Sequence, residues 1–327
     1  MKARTRAVGP VALLVLALVS GCSRQVDPWE GKPSPRVLSS FPPIHCFARN
    51  VAVKKDSTQC LCPPRIDPHN YVYNINDTIK VSTADLFLAN GFGLDTDFTD
   101  KLYANTGKGG LKLVYKKLAE GLPVTLRRPA RDDKKDSDHG DHSRSEFDPH
   151  VWLGIPQAQH MVDQIRDELK KLDPENAPGY DRNAASYKAR LQALQDEGKK
   201  ALAGMKIAIL THHDSMRYFA DSFGIPRGGF IQEAPRVDPS GKELAELAAE
   251  LARKYPRLIL AVEPGTPGGS AEILKKELSK AGVKVETVTL DPLEICEQAD
   301  WTDDGWYERK MRENIRALVE ARKKLEK

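Results

Sequence analysis

The stretch from Ala177 to Leu202 constrains the fold most. Tyr180, Ala184, Tyr187, Leu191, Leu194 and Leu202 recur at helical spacing, with strong helix formers between them and Gly204 as a stop. Roughly 25 residues of α-helix reach about 37 Å, enough to run the length of a domain. Such a helix is expected to join two lobes rigidly.

The segments on either side share one grammar. Before the long helix, Val37 to Phe41, Thr58 to Cys62, Ala84 to Asn90 and Pro123 to Leu126 read as short strands. Helices are expected over Ile44 to Val53, Ile75 to Val81, Phe98 to Ala104 and Gly110 to Leu118, and an amphipathic one over Pro156 to Leu172. After it, strands over Lys206 to Thr211, Gly229 to Gln232, Leu258 to Glu263 and Val283 to Leu290 alternate with helices over Ser215 to Phe223, Ser240 to Lys254 and Gly269 to Ala281. A last helix is expected from Trp306 to about Lys324. Alternation of this kind implies parallel pairing through crossovers, an α/β layer fold. The expected organisation is an N-terminal α/β lobe over 36–176, a linking helix over 177–203 and a C-terminal α/β lobe over 204–327.

The first 22 residues carry an address rather than structure. Lys2, Arg4 and Arg6 precede a short apolar run from Val11 to Val19, too brief to span a bilayer, which takes about 20 apolar residues. Leu18-Val19-Ser20-Gly21-Cys22 resembles a bacterial lipoprotein box, implying cleavage before Cys22 and lipid on its sulfur. Residues 23–35, with Pro28, Pro33 and Pro35, suit a tether. The expected mature protein is exported and lipid-anchored at the cell envelope, on the periplasmic side. The formal net charge of +4 over 327 residues gives nucleic-acid binding no electrostatic case. An oxidising compartment permits disulfides among Cys46, Cys60, Cys62 and Cys296; a pairing of Cys46 with Cys60 or Cys62 is one choice, and the sequence does not select among the connectivities.

Chemistry-bearing groups gather where strands end. His69, His150, His213 and Asp291 all fall there, two in each half, and open α/β sheets bind ligands outside the carboxyl ends of their strands. Closing the lobes brings all four around one ion. Three neutral imidazoles and one carboxylate form a mixed set suited to Zn²⁺ and tolerable for Mn²⁺, Fe²⁺ or Cu²⁺. Each residue alone has an ordinary use, Asp291 as a turn or cap residue above all. The charged run from Arg131 to Glu146 carries His139, Asp141 and His142 and reads as a solvated loop with accessory metal-binding groups.

Several motifs then coincide in register. Asp67-Pro68-His69-Asn70-Tyr71, Ala84-Asp85-Leu86-Phe87 with Asn90-Gly91, and Asp148-Pro149-His150-Val151-Trp152-Leu153 lie in the first half. His213-Asp214-Ser215 with Tyr218-Phe219, Val262-Glu263-Pro264 and Leu290-Asp291-Pro292-Leu293 lie in the second. In order and spacing the chain resembles the metal-binding lipoproteins of zinc and manganese ABC transporters, as a zinc-type member. The resemblance implies two α/β lobes on a helical spine, His69, His150 and His213 as imidazole ligands and Asp291 as the fourth ligand. It also implies delivery of the ion to an ABC permease, by a protein expected to be a monomer and not an enzyme. Manganese members usually carry a carboxylate where His213 stands, so the imidazole favours Zn²⁺, with Mn²⁺ the weaker fit and a manganese- or iron-binding member the alternative.

Glu263, at the end of a strong strand and before Pro264, either orients a ligand histidine through its second nitrogen or caps the turn that follows. A zinc-dependent hydrolase is the rival from another class, with Glu263 as the conceivable base. The sequence offers it no HExxH pair and no nucleophile elbow. Departures from the family pattern are Pro68 where some zinc members place a Glu, and only two histidines in the charged loop.

Overall fold

Short apolar strands, each followed by a helix, leave the chain no route but parallel pairing through crossovers, and a computed structural model shows two such sheets. It describes residues 27–106, 113–123, 125–126, 146–232, 239–265 and 269–327. The export signal with Cys22, and residues 131–145 with His139, Asp141 and His142, lie outside the described residues.

The first sheet holds β1 (Val37–Ser39), β2 (Thr58–Cys60), β3 (Leu86–Ala89) and β4 (Val114–Lys117) in the order β2-β1-β3-β4, all parallel. The second holds β5 (Ala208–His213), β6 (Arg227–Gln232), β7 (Arg257–Val262) and β8 (Lys284–Thr289) in the order β6-β5-β7-β8, also parallel. In both, the chain runs outward from the first strand and then returns to its other side. That reversal opens a crevice at the strands' carboxyl ends.

One strand differs from the sequence reading. The helical turns expected over Gly110 to Leu118 are replaced by β4, and no strand forms among the described residues of the Pro123 to Leu126 run. Tyr115 explains the choice: on the sheet edge its ring stacks between Phe87 at 5.3 Å and Tyr103 at 4.8 Å. Leu126 instead donates its N–H to Tyr218 Oη at 2.7 Å, tying the first half to the second.

The helices are α1 (Pro42–Val51), α2 (Ile75–Ser82), α3 (Thr96–Asn105), α4 (Ile155–Leu172), α5 (Ala177–Ala201), α6 (Arg217–Phe223), α7 (Gly241–Lys254), α8 (Gly269–Lys280) and α9 (Trp306–Glu326). Prolines start α1, where their missing N–H groups go unneeded. Ser240 and Glu243 close a capping box on α7. None of the described helices is long and apolar enough to cross a membrane.

Helix α5 packs against α1 and α4 from the first half and α6 and α9 from the second. A single apolar cluster runs from Val37 and Leu86 through Trp152 to Ile209 and Ile259, so the core is continuous between the sheets. Trp152 is its hinge pin: its Nε1–H donates to the Pro292 carbonyl at 2.8 Å, and its own carbonyl accepts from Tyr307 Oη at 2.6 Å. Truncating so buried a ring costs roughly 3–5 kcal/mol.

Gly198 marks a close approach of the spine to its neighbours, since a Cβ there would sit 2.5 Å from Phe223 Cε1 and 2.8 Å from Ile315 Cδ1. Alanine normally favours a helix over glycine by about 1 kcal/mol, but overpacking costs about 1–3 kcal/mol. Gly198→Ala is therefore expected to lower the thermal midpoint by a few degrees despite its better helix propensity, as a calorimetric scan would read; a raised midpoint would contradict this packing.

Candidate metal centre

The same tripeptide, Asp-Pro-His, is used twice. Asp67 Oδ1 accepts the His69 backbone N–H at 2.8 Å, and Asp148 Oδ1 accepts that of His150 at 3.0 Å. Each aspartate thus closes a tight turn that presents the imidazole. The second turn is anchored to the end of β3, where Asn90 donates its side-chain amide to the Pro149 carbonyl at 2.9 Å. His213 is the last residue of β5 itself rather than a residue beyond it.

These turns bring His69, His150 and His213 together, with their candidate ligand atoms all within 4.8 Å of one another. Ring centroids are 5.8 Å apart for His69 and His150, 5.7 Å for His69 and His213 and 4.9 Å for His150 and His213. His150 and His213 side chains are 3% exposed and His69 20%, so His69 stands on the solvent side.

The carboxylate facing them is Glu294, not Asp291. Glu294 Oε1 lies 3.3 Å from both His69 Nε2 and His150 Nε2. Asp291 is turned to other work: Oδ1 accepts the Leu293 N–H at 2.8 Å and Oδ2 pairs with Lys310 Nζ at 3.0 Å. Leu293 takes a left-handed φ of 61°, and this kink redirects the chain so that Glu294 returns to the imidazoles. The sequence signal for Glu294 was a carboxylate within a few residues of a strand end, a signal that Asp291 satisfied first.

Two of the rings are fixed by a second carboxylate. His150 Nδ1 donates to Asp148 Oδ1 at 2.7 Å and His213 Nδ1 to Glu263 Oε1 at 3.2 Å, which leaves each Nε2 directed at the centre. Ser215 Oγ holds the same Glu263 oxygen at 3.2 Å. Glu263 therefore braces a ring and does not face the centre as a base. His150 Nε2, although 3.3 Å from Glu294, lacks the alignment of a hydrogen bond and has no partner among the described residues.

Electrostatics follow from this crowding. Burial alone would pull His150 down, but Asp148 and Glu294 outweigh it and raise its pKa to about 10. Burial would push Glu294 up, yet His69 and His150 hold its carboxyl well below the usual range. Asp214, next to His213, is raised by burial and by the charge of Asp148.

Among the described residues, Cys46, Cys60, Cys62 and Cys296 are free, buried thiols. Burial pushes Cys46, Cys62 and Cys296 up to about 12 and Cys60 well above its ordinary value. His45, beside Cys46, is lowered to about 4 by burial and by Arg49.

A folded-state pKa near 10 against an ordinary 6.5 means that the His150 proton stabilises the metal-free protein fully below pH 6.5 and ceases to do so as pH rises to about 10. The urea midpoint of the metal-free protein is expected to fall across that window. Asp148→Asn should flatten most of this slope; an unchanged slope in the variant would argue against the pairing.

Comparison with known proteins places this geometry in context. Residues 37–321 match the family described as zinc-uptake complex component A, periplasmic. The chain is 30% identical over 309 residues to the zinc-binding lipoprotein AdcA of Streptococcus pneumoniae serotype 4, covering 94% of this chain but 59% of AdcA. It therefore spans less than two thirds of that relative. It is 27% identical over 310 residues to the manganese-binding lipoprotein MntA of Bacillus subtilis, covering 93% of this chain and 95% of that one. The crystal structure of the Zn(II)-bound ZnuA-like domain of S. pneumoniae AdcA superposes with a TM-score of 0.67 at 26% identity, covering 87% of this chain and 97% of that domain.

Proposed function

Since the chain belongs to the family of periplasmic zinc-uptake components, we propose that it captures Zn²⁺ between its two lobes outside the cytoplasmic membrane and hands it to an ABC permease. His69, His150, His213 and Glu294 are the proposed ligands. One observation carries this reading. Two ligands each about 2.0–2.1 Å from a tetrahedral ion stand roughly 3.3 Å apart, and Glu294 Oε1 lies 3.3 Å from both His69 Nε2 and His150 Nε2.

The donor set favours zinc over manganese, because three imidazoles are softer than the oxygen-rich shells that suit Mn²⁺. A relative named for zinc and another named for manganese frame the choice. Loading is a competition with protons: the ion must displace the proton on His150 Nε2, which the charges of Asp148 and Glu294 stabilise, while the Nδ1–H stays on Asp148, so affinity rises with pH. The proposed mature protein is anchored by lipid on Cys22, with residues 23–35 as tether, and acts as a monomer. His139, Asp141 and His142 are proposed as accessory groups that feed the main site.

Competition titration of the chain lacking residues 1–22 tests the assignment. Tight one-to-one Zn²⁺ binding is expected, weakened at least about 100-fold in His213→Ala and in Glu294→Ala. Asp291→Ala should leave the affinity within about threefold, because its carboxylate serves Leu293 and Lys310. The reverse ranking of Glu294 and Asp291 would overturn the fourth ligand, and full retention by His213→Ala would place the metal elsewhere.

A further inference from the structure

Three thiols from the two halves of the chain lie near one another. Cys60 ends β2 and Cys62 follows it, while Cys296 lies in the segment after β8. All three are buried, at 3%, 0% and 4% exposure, and they lie within electrostatic range of one another. Cys62 and Cys296 belong to the same apolar cluster. The backbones around them are already joined: the Arg65 N–H donates to the Cys296 carbonyl at 3.0 Å, and the Arg65 guanidinium pairs with Glu297 at 2.6 Å. Cys62 Sγ points into this turn and donates to the Ile66 carbonyl at 3.3 Å. His69 lies just beyond that turn, and Glu294 two residues before Cys296.

We propose that Cys62 and Cys296 are a disulfide-forming pair, a covalent staple between the segment that presents His69 and the segment that presents Glu294. Cys62 is favoured over Cys60 because Cys60 is held in the strand, in register with Ser39, whereas Cys62 sits in the turn that Arg65 ties to Cys296. A disulfide needs its Cα atoms within about 7 Å, a span that a turn already hydrogen-bonded to the partner's carbonyl can supply with small backbone shifts. The oxidant is a small-molecule or protein disulfide. The Cys62 thiolate attacks one of its sulfurs, forming a mixed disulfide and releasing one thiolate. The Cys296 thiolate then attacks Cys62 Sγ, closing the protein disulfide and releasing the second. Two electrons pass to the oxidant, and the two thiol protons go to the released thiolates. Because the thiols are buried, exchange takes place through local opening of the 62–66 turn or during folding, and bound metal that holds the His69 and Glu294 segments together slows it.

The consequence for the site rests on the proposed zinc reading: with the two segments stapled, Glu294 and His69 are pre-positioned, and release of the ion slows by about five- to tenfold. The test uses the mature chain, reduced and then equilibrated with oxidised glutathione, metal-free and zinc-loaded, with cross-links mapped by fragmentation mass spectrometry. The expected product links Cys62 to Cys296, forms more slowly with zinc bound, survives in Cys60→Ser and is absent in Cys62→Ser. A bond between Cys60 and Cys62, a bond involving Cys46, or four free thiols even after refolding in the oxidising buffer overturns the pairing. Fragmentation of the wild-type product separates Cys60 from Cys62 without any variant. Equal zinc release rates from reduced and cross-linked protein overturn the coupling to the site. Failure of both redox forms to bind zinc sinks the transport reading instead, while the mapped cross-link still stands.

Discussion

The hydrogen bond from His150 Nδ1 to Asp148 Oδ1 is the interaction on which the centre depends. An imidazole 3% exposed, packed 5.3 Å from the Trp152 ring, has lost its water and must find fixed partners. Asp148 supplies one and is itself held in the Asp-Pro-His turn, which Asn90 pins to the end of β3. Orientation of the ring is thus inherited from the sheet. Tyr218 completes the chain of support by donating its hydroxyl to the Asp148 carbonyl from the opposite half. Loss of any link would free the ring to rotate, and a rotated ring offers the wrong nitrogen.

Around this bond the two halves are locked more than hinged. The apolar cluster passes without interruption between the sheets, the spine is in contact with helices from both, and Trp152 donates across the divide while accepting from α9. Side-chain ties at the outer rim, such as Arg49 to Asp304 at 3.1 Å, add to this. A wide opening would expose that core, so the packing opposes any large separation of the two halves.

Much of this was legible in the sequence, for a physical reason: period and punctuation report directly on local structure. The spine over Ala177–Ala201 and the β/α alternation follow from residue spacing and chain breaks, and the three histidines do come together, although only His213 ends a strand while His69 and His150 sit in turns. What escaped depended on contacts distant in sequence. Tyr115 chose a strand because Phe87 and Tyr103 were there to stack on it. Asp291 looked like the ligand because it directly follows a strand, but Lys310, on α9, pairs with its carboxylate, and after the left-handed residue Leu293 it is Glu294 that faces the imidazoles. No periodicity encodes a single kink. The contact of Glu263 with a histidine was readable because its partner, His213, ends the neighbouring strand β5.

On the proposed reading, the proton on His150 Nε2 decides how little a filled site differs in charge from an empty one. An arriving divalent ion brings two positive charges and expels that proton, so loaded and empty proteins differ by about one unit of charge, set behind the fixed negative charges of Asp148, Glu263 and Glu294. A field that changes so little is a poor messenger across a Debye length of about 8 Å at physiological salt. On the proposed reading, whatever tells full from empty would have to sense the positions of the segments that carry His69 and Glu294, reading shape where the electrostatic surface is nearly silent.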